Sequence, residues 1–258
     1  MAVLSVEAVG SVPEDLRGAY LAALPEPQEL FVEQLVAIGQ AYVIRSGAEL
    51  LGYFVVADDT MVEFHVENAG LAQLPELFEV ALSTSGATKA LCKTFDARMV
   101  TAAASRPATT RTVGFLFRRT VEVARDDRPR LQARLGTAAD IEAVWSMHDG
   151  FFDSRDEIER YALGSRLFLY ETTAGELVGC GILTRVIAEQ NAVDIGMVVA
   201  ATHRGSGHGA FIVAQLKEHC LQHGDRPICG CSADNRPSRR ALEHAGFATA
   251  HSLIEFAY

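Results

Sequence analysis

The chain has 258 residues, is 49% hydrophobic and carries a formal net charge of −10, which suffices for one large core or two of ordinary domain size. The acidic excess is even, with 9 Lys+Arg against 14 Asp+Glu in residues 1–120 and 14 against 19 in residues 121–258, so each half carries −5. An acidic surface without basic runs repels a phosphate backbone, no apolar run reaches roughly 18 residues, and "MAVLSVEAVGSVPEDL" lacks the basic and apolar regions of a signal peptide, so nucleic acid and membrane are not expected partners and a cytoplasmic location is expected.

Taken in chain order, Pro13 and Pro25 each open an amphipathic segment, "PEDLRGAYLAAL" and "PEPQELFVEQLVAIGQ", read as two short helices. The period then changes to that of strands in "AYVIRS", "ELLGYFVVA" and "TMVEFHVE", the first two joined by the turn "GA". "LPELFEVALSTSG" reads as a helix ending at Gly86, and "KALCKTF" and "VGFLFRRT" supply the last strands of this half. The charged stretch "VARDDRPRL" is the expected linker, giving domains 1–124 and 130–258.

The second half reads as strand, two helices, three strands, helix, strand, helix and strand. Its first two helices start at Thr137 or Asp140 and at Ser154, its hairpin is "RLFLYETTAGELVGCGILTRV" and its next strand "AVDIGMVVA", followed after the glycine loop by a helix over 210–223, the strand "ICGCSA", the helix "RPSRRALEHAG" and the last strand "TAHSLIEFAY". The fold class expected is α+β, each half a mixed twisted sheet flanked by helices. A duplication supports this: "GAELLGYFVV" matches "AGELVGCGIL", with Glu49, Leu50 and Gly52 against Glu176, Leu177 and Gly179, and the strands that follow, "MVEFHV" and "AVDIGM", also correspond.

The stretch "THRGSGHGAF" places Gly205, Gly207 and Gly209 between a strand and a helix. Glycine removes Cβ and permits positive φ, so backbone N–H groups converge, and the helix start adds unpaired donors and a positive dipole end. The pattern suits a phosphate or pyrophosphate. A Rossmann turn would need an opening βαβ unit and an acidic residue about 20 positions on, which do not accompany it. Cys92, Cys180, Cys220, Cys229 and Cys231 are odd in number and lie mostly in apolar contexts, so reduced thiols are expected; no second Cys or His pair stands at zinc spacing beside Cys229 and Cys231, and no metal is expected.

On these residues the chain resembles the GNAT superfamily of N-acetyltransferases. "VVAATHRGSGHGAF" is similar to its acetyl-CoA pyrophosphate loop, with Arg204, Gly207 and Gly209 at the pattern positions, and "DNRPSRRALEHAGF" to its second signature, through Asn235, Ser238, Glu243, Gly246 and Phe247. "LGTAADIEAVW" resembles the family's first strand and helix, and the first half resembles the degenerate N-terminal half of tandem members. The resemblance implies acetyl transfer from acetyl-CoA to a primary amine of a small molecule or peptide, with a homodimer left open and a non-catalytic acyl-CoA-binding module as the alternative.

It further implies that Met197, Val198 and Val199 offer main-chain groups to the pantetheine arm. The segment Arg204, Gly205, Ser206, Gly207, His208, Gly209 and Ala210 would bind the pyrophosphate, with Asn235 and Ser238 from the second signature. Asp194 stands where relatives carry a base-supplying carboxylate. The family's acidic tyrosine position holds Leu242, leaving Tyr258, Cys231 or solvent for that role, while His148, Asp149 and Tyr161 fall in acceptor-side segments. In the first half "ENAGLAQLPELF" puts Leu71, Leu74 and Pro75 where free N–H groups would be needed, with Glu67 and Glu76 opposing an anion. One acetyl-CoA per chain is therefore expected.

Overall fold

The computed structural model describes residues 4–123 and 131–258, so the expected linker lies, apart from its two end residues, outside the described residues. The chain forms two compact units. One comprises the described residues up to Leu116 with Ser232–Asp234 and His251–Tyr258; the other comprises those in Phe117–Cys231 and Asn235–Ala250.

The first unit begins with β1 (Leu4–Val9), α1 (Glu14–Ala23), α2 (Leu30–Ile38), β2 (Gln40–Ser46), β3 (Glu49–Ala57) and β4 (Thr60–Val66). It continues with α3 (Leu74–Ser85), β5 (Lys89–Lys93), α4 (Ala97–Ala103) and β6 (Thr109–Phe117). Glu14 and Asp15 favour the start of α1 by facing its dipole. Gly86 ends α3 at φ 72°, its N–H bonded to Leu82 O. One face of the sheet packs Phe54 and Phe64 against Phe78 of α3 and Met99 of α4, and the other packs Val43, Tyr53 and Val55 against Leu16 and Tyr20 of α1. Sequence reasoning missed β1 and α4: β1 buries none of its six residues fully, and α4 spans only seven residues, too few for a clear helical period.

The second unit contains β7 (Arg119–Thr120), β8 (Gln132–Leu135), α5 (Ile141–Met147), α6 (Arg155–Leu163), β9 (Leu167–Glu171) and β10 (Leu177–Arg185). After these come β11 (Ala192–Val199), α7 (His208–Gln222), β12 (Arg226–Ser232), α8 (Arg236–His244) and β13 (Phe247–Ala248). Its main sheet runs β12-β11-β10-β9-β8, and β13 pairs with β7. Thr137 and Asp140 form a reciprocal capping box leading into α5, and Ser154 Oγ accepts from Glu157 N at 3.2 Å to start α6. Helices α5 and α6 and the segment between them cover one face through Val144, Ile158 and Phe152 against Cys180, Ile182 and Val198. On the other face Gly179 and Gly181 leave room for Ile212 and Leu216 of α7, which a Cβ at either glycine would crowd.

The final strand, β14 (His251–Ala257), pairs antiparallel with β5 and β6. In sequence it follows the second half; in space it completes the first unit's sheet. Its pattern fits that seat, because Leu253 buries beside Leu91 and Leu116 while Phe256 buries with the α3-side cluster. All five cysteines are free thiols, four of them buried and Cys231 half-buried.

Candidate functional site

The site is built by a divergence of two strands. The parallel ladder between β11 and β12 pairs Ala192 with Arg226, Val193 with Pro227 and Asp194 with Ile228. Beyond that point β11 continues to Val199, still paired with β10 through Val199 and Gly179, while β12 runs on without it. Backbone groups on the β12-facing edge of Ile195–Val199 therefore lose their sheet partner, which suits them to a ligand. The resulting wedge opens into a pocket of about 830 Å³ lined by Met197, Val198 and Val199, by the loop into α7 and by α8.

The loop has the backbone that its glycines allow. Gly205 and Gly207 adopt φ of 82° and 80°, and Gly207 is the N-cap of α7, so the first N–H groups of that helix face the pocket side without a capping side chain. Gly209 fills a different need, since a Cβ there would lie 3.1 Å from Met197 Cε and 3.5 Å from Ala241 Cβ, across the wedge. His208 Nδ1 is buried with no hydrogen-bond partner among the described residues, and desolvation, followed by the neighbouring His203, lowers the ring's pKa from its ordinary value. A lone ring nitrogen beside a bare helix start fits an incoming phosphate oxygen. Arg204 turns its side chain back onto the protein, its Nε donating to Val199 O at 3.0 Å and its Nη2 to Asp149 Oδ2 at 2.8 Å.

Of the residues that the sequence singled out, Met197, Val198, Val199, Arg204, Gly205, Gly207, His208, Gly209, Ala210, Asn235 and Ser238 all line the pocket, and Ser206 does not. Asn235 does so while its Oδ1 accepts from Ser238 N at 3.0 Å, capping α8. Asp194 lies outside the pocket lining, on the face of β11 that α5 and α6 cover, opposite Thr184 in the ladder. Thr184 Oγ1 is 2.9 Å from Tyr161 Oη, and Tyr161 titrates above its ordinary range, chiefly through burial, with the Asp194 charge adding to the effect. Leu242 is buried and is not among the lining residues. Tyr258 belongs to the first unit, where its hydroxyl donates to Ala103 O at 3.1 Å.

Cys231, His148 and Asp149 do reach the pocket. His148 accepts from Phe152 N through Nδ1 at 3.1 Å, which leaves the neutral ring its proton on Nε2, and it stacks on Trp145 at 4.2 Å between centroids. Sequence reasoning missed Phe151 beside them and the face of α8 formed by Pro237, Arg240, Ala241 and His244. The α8 residues recur at helical spacing after a recognised signature, so that face was available to be read.

The strand divergence, the glycine loop and the mixed sheets define an acyltransferase of the GNAT type. The acetyltransferase (GNAT) domain model matches residues 12–120 and the acetyltransferase (GNAT) family model matches residues 137–247. The chain belongs to the GNAT acetyltransferase family and is a tandem of two such domains. Among solved structures it is similar to an acetyltransferase of the GNAT family from Colwellia psychrerythraea, at 18% identity and TM-score 0.88 over 98% of this chain and 99% of that one. A GCN5-related N-acetyltransferase from Sphaerobacter thermophilus follows at 15% identity and TM-score 0.67, covering 99% and 95%. A tandem GNAT protein from the clavulanic acid biosynthesis pathway has 15% identity and TM-score 0.57, covering 99% and 98%. No curated protein matches the chain. Among the described residues no helix is long and apolar enough to cross a membrane, and no group of three or more His, Cys, Asp or Glu could hold a metal ion.

Proposed function

We propose that the second unit transfers an acetyl group from acetyl-CoA to a primary amine. The observation that carries this reading is the open wedge between β11 and β12, ending on a helix start with left-handed glycines at Gly205 and Gly207 and an unpartnered His208 Nδ1. Such a site suits a thin, extended ligand with a diphosphate at one end. Met197–Val199 would hold its amide-bearing arm along the strand edge, and the N–H groups from Arg204 to Ala210 would hold the diphosphate.

The thioester supplies an activated acetyl group. The residues of this chain bind it, exclude water and handle the acceptor's proton. Asp194, to which we give the role of base, would take one proton from the alkylammonium and free its lone pair. The nitrogen would then bond to the acyl carbon as the carbon–sulfur bond breaks, the electron pair going to sulfur and the second nitrogen proton passing through solvent to the thiolate. Thr184 and Tyr161, beside Asp194, supply hydroxyl groups on the same face.

A second reading, acyl-CoA binding without turnover, is favoured by buried Leu242 at the position of the family's acid and by the absence of Asp194 from the pocket lining. Release of free CoA thiol across amino acids, polyamines, aminoglycoside-like amines and peptide N-termini decides between them. Thiol release coupled to N-acetylated product supports acetyl transfer; acetyl-CoA binding with no release from any amine supports the second reading.

A further inference from the structure

Phe151 occupies a particular place between the pocket and Asp194. It follows two consecutive residues with left-handed backbone, Asp149 at φ 49° and Gly150 at φ 75°. Phe151 N donates to His148 O at 3.0 Å, and Asp149 is paired with Arg204 at 2.8 Å. The ring so placed lies against Gly196: a Cβ built on that glycine would stand 2.9 Å from Phe151 Cζ and 2.8 Å from Ile182 Cγ1. No other residue type seats the ring there without displacement.

Gly196 shares its face of β11 with Asp194, two residues or roughly 7 Å away along the strand. Their ladder partners Ile182 and Thr184 share the matching face of β10. Phe151 lines the pocket, whereas Asp194, Thr184 and Tyr161 do not. Val198, on the same face beyond Gly196, lines the wedge, so the ring seated on Gly196 stands as a wall between the wedge and the carboxylate.

We infer that Phe151, seated on Gly196, determines acceptor specificity, admitting a slender, unbranched primary alkylammonium to Asp194 and rejecting one branched beside the nitrogen. The chemistry of the wall fits that class. An alkylammonium next to an aromatic face and a carboxylate gains from both, and a chain one methylene thick displaces the ring less than a branched carbon does. The kinetic form of this inference rests on the acetyl-transfer reading; the position of the wall does not.

The kinetic test compares n-butylamine with its isomer sec-butylamine, branched beside the nitrogen, each with acetyl-CoA, as a ratio of kcat/KM within each protein so that changes in cofactor affinity cancel. The native chain is expected to favour n-butylamine by about tenfold or more, the range one carbon commonly provides in a fitted pocket. Phe151→Ala brings the ratio toward unity, and Phe151→Leu, which keeps an apolar side chain and guards against a folding defect, falls between. An unchanged ratio in Phe151→Ala overturns the inference.

A second arm needs no turnover. Asp194→Cys is labelled with 2-aminoethyl methanethiosulfonate and with its bulkier trimethylammonium analogue, and the adduct at position 194 is mapped by peptide mass to separate it from Cys231. The slender reagent should react faster, and adding Phe151→Ala should erase the difference. Equal rates with Phe151 present overturn the wall. Size-selective labelling without thiol release from any amine retires the acetyl-transfer reading and leaves the wall standing.

Discussion

Glu63 and Asp194 hold the same place on the strand that follows each copy of the duplicated hairpin, and their surroundings have moved apart. Each lies on the strand that pairs antiparallel with the hairpin and parallel, over two or three residues, with the next strand. Around Asp194 the adjoining strand position is Gly196, and the diverging strands enclose a pocket. Glu63 is wholly buried among its partners. Its carboxylate accepts from Arg17, from Gln28 at 2.9 Å and from Tyr53 at 2.9 Å, and His65 stands where the second unit has glycine, against the rings of Tyr20 and Tyr53. Lys93 is wholly buried and donates to Tyr20 Oη and Gln28 Oε1, both at 2.7 Å, while Tyr20 donates to Asp96. Burial lowers the Lys93 pKa, opposed by the charges of Asp96 and Glu63. A duplicated wedge is kept open by side chains that are missing and is closed by side chains that satisfy one another.

The largest expected effects come from making the same neutralising change in both copies. Asp194→Asn should lower the acetylation rate by about 10²–10⁴-fold, as for loss of a general base, with little change in the unfolding midpoint. Glu63→Gln should do the reverse, destabilising the chain by about 1.5–3 kcal/mol in urea unfolding, because the buried hydroxyl of Tyr53 and half-buried Arg17 lose a charged acceptor while Arg17 keeps Glu33. Turnover that falls in Glu63→Gln at unchanged stability would mean that both carboxylates do the same work.

Next in size is the loop. Gly207→Val places a branched residue at φ 80°, and Gly209→Val sets a side chain against Met197 and Ala241 across the wedge. Losing one or two hydrogen bonds to a charged phosphate, at about 1.5–3 kcal/mol each, weakens acetyl-CoA binding on the order of 10²-fold. Calorimetric titration should give one acetyl-CoA per native chain and none measurable in either variant at the same concentrations. A stoichiometry of two would show that the first unit binds the cofactor as well.

How much of this was legible depends on whether one strand or several carry the feature. The glycine loop was readable because Gly205, Gly207 and Gly209 are consecutive signals on one segment, and the duplicated hairpin because its matches lie within ten residues. The seat of β14 was not, because "TAHSLIEFAY" alternates equally well for either sheet and its choice rests on Leu253 and Phe256 meeting clusters built about 150 residues earlier. The Glu63 network was also hidden, since Arg17, Gln28, Tyr53 and Lys93 are individually ordinary and meet only when α1, α2, β3 and β5 pack. Phe151 went unread for the same reason: its meaning lies in Gly196, 45 positions on.

The smallest expected effect tests how the first wedge is sealed at its outer end. There the strand β4 finishes at Val66, the counterpart of Met197, and its carbonyl accepts from Arg98 Nη1 of α4 at 2.9 Å, while Arg98 Nη2 donates to Asn68 Oδ1 at 3.1 Å. The second unit leaves this edge to the loop, whose Arg204 takes Val199 O instead. Removing the guanidinium by Arg98→Ala deprives a strand-end carbonyl of its donor at a half-buried position that water can reach, so the cost should be about 1 kcal/mol, one ordinary hydrogen bond. It should not create a second cofactor site, because Pro75 and Leu74 still stand at the start of α3, where the second unit offers bare N–H groups. Urea unfolding with acetyl-CoA titration checks both halves of that statement: a modest loss of stability at an unchanged stoichiometry of one places the seal in several residues together, whereas a second bound acetyl-CoA in Arg98→Ala would make that single arginine the whole of it.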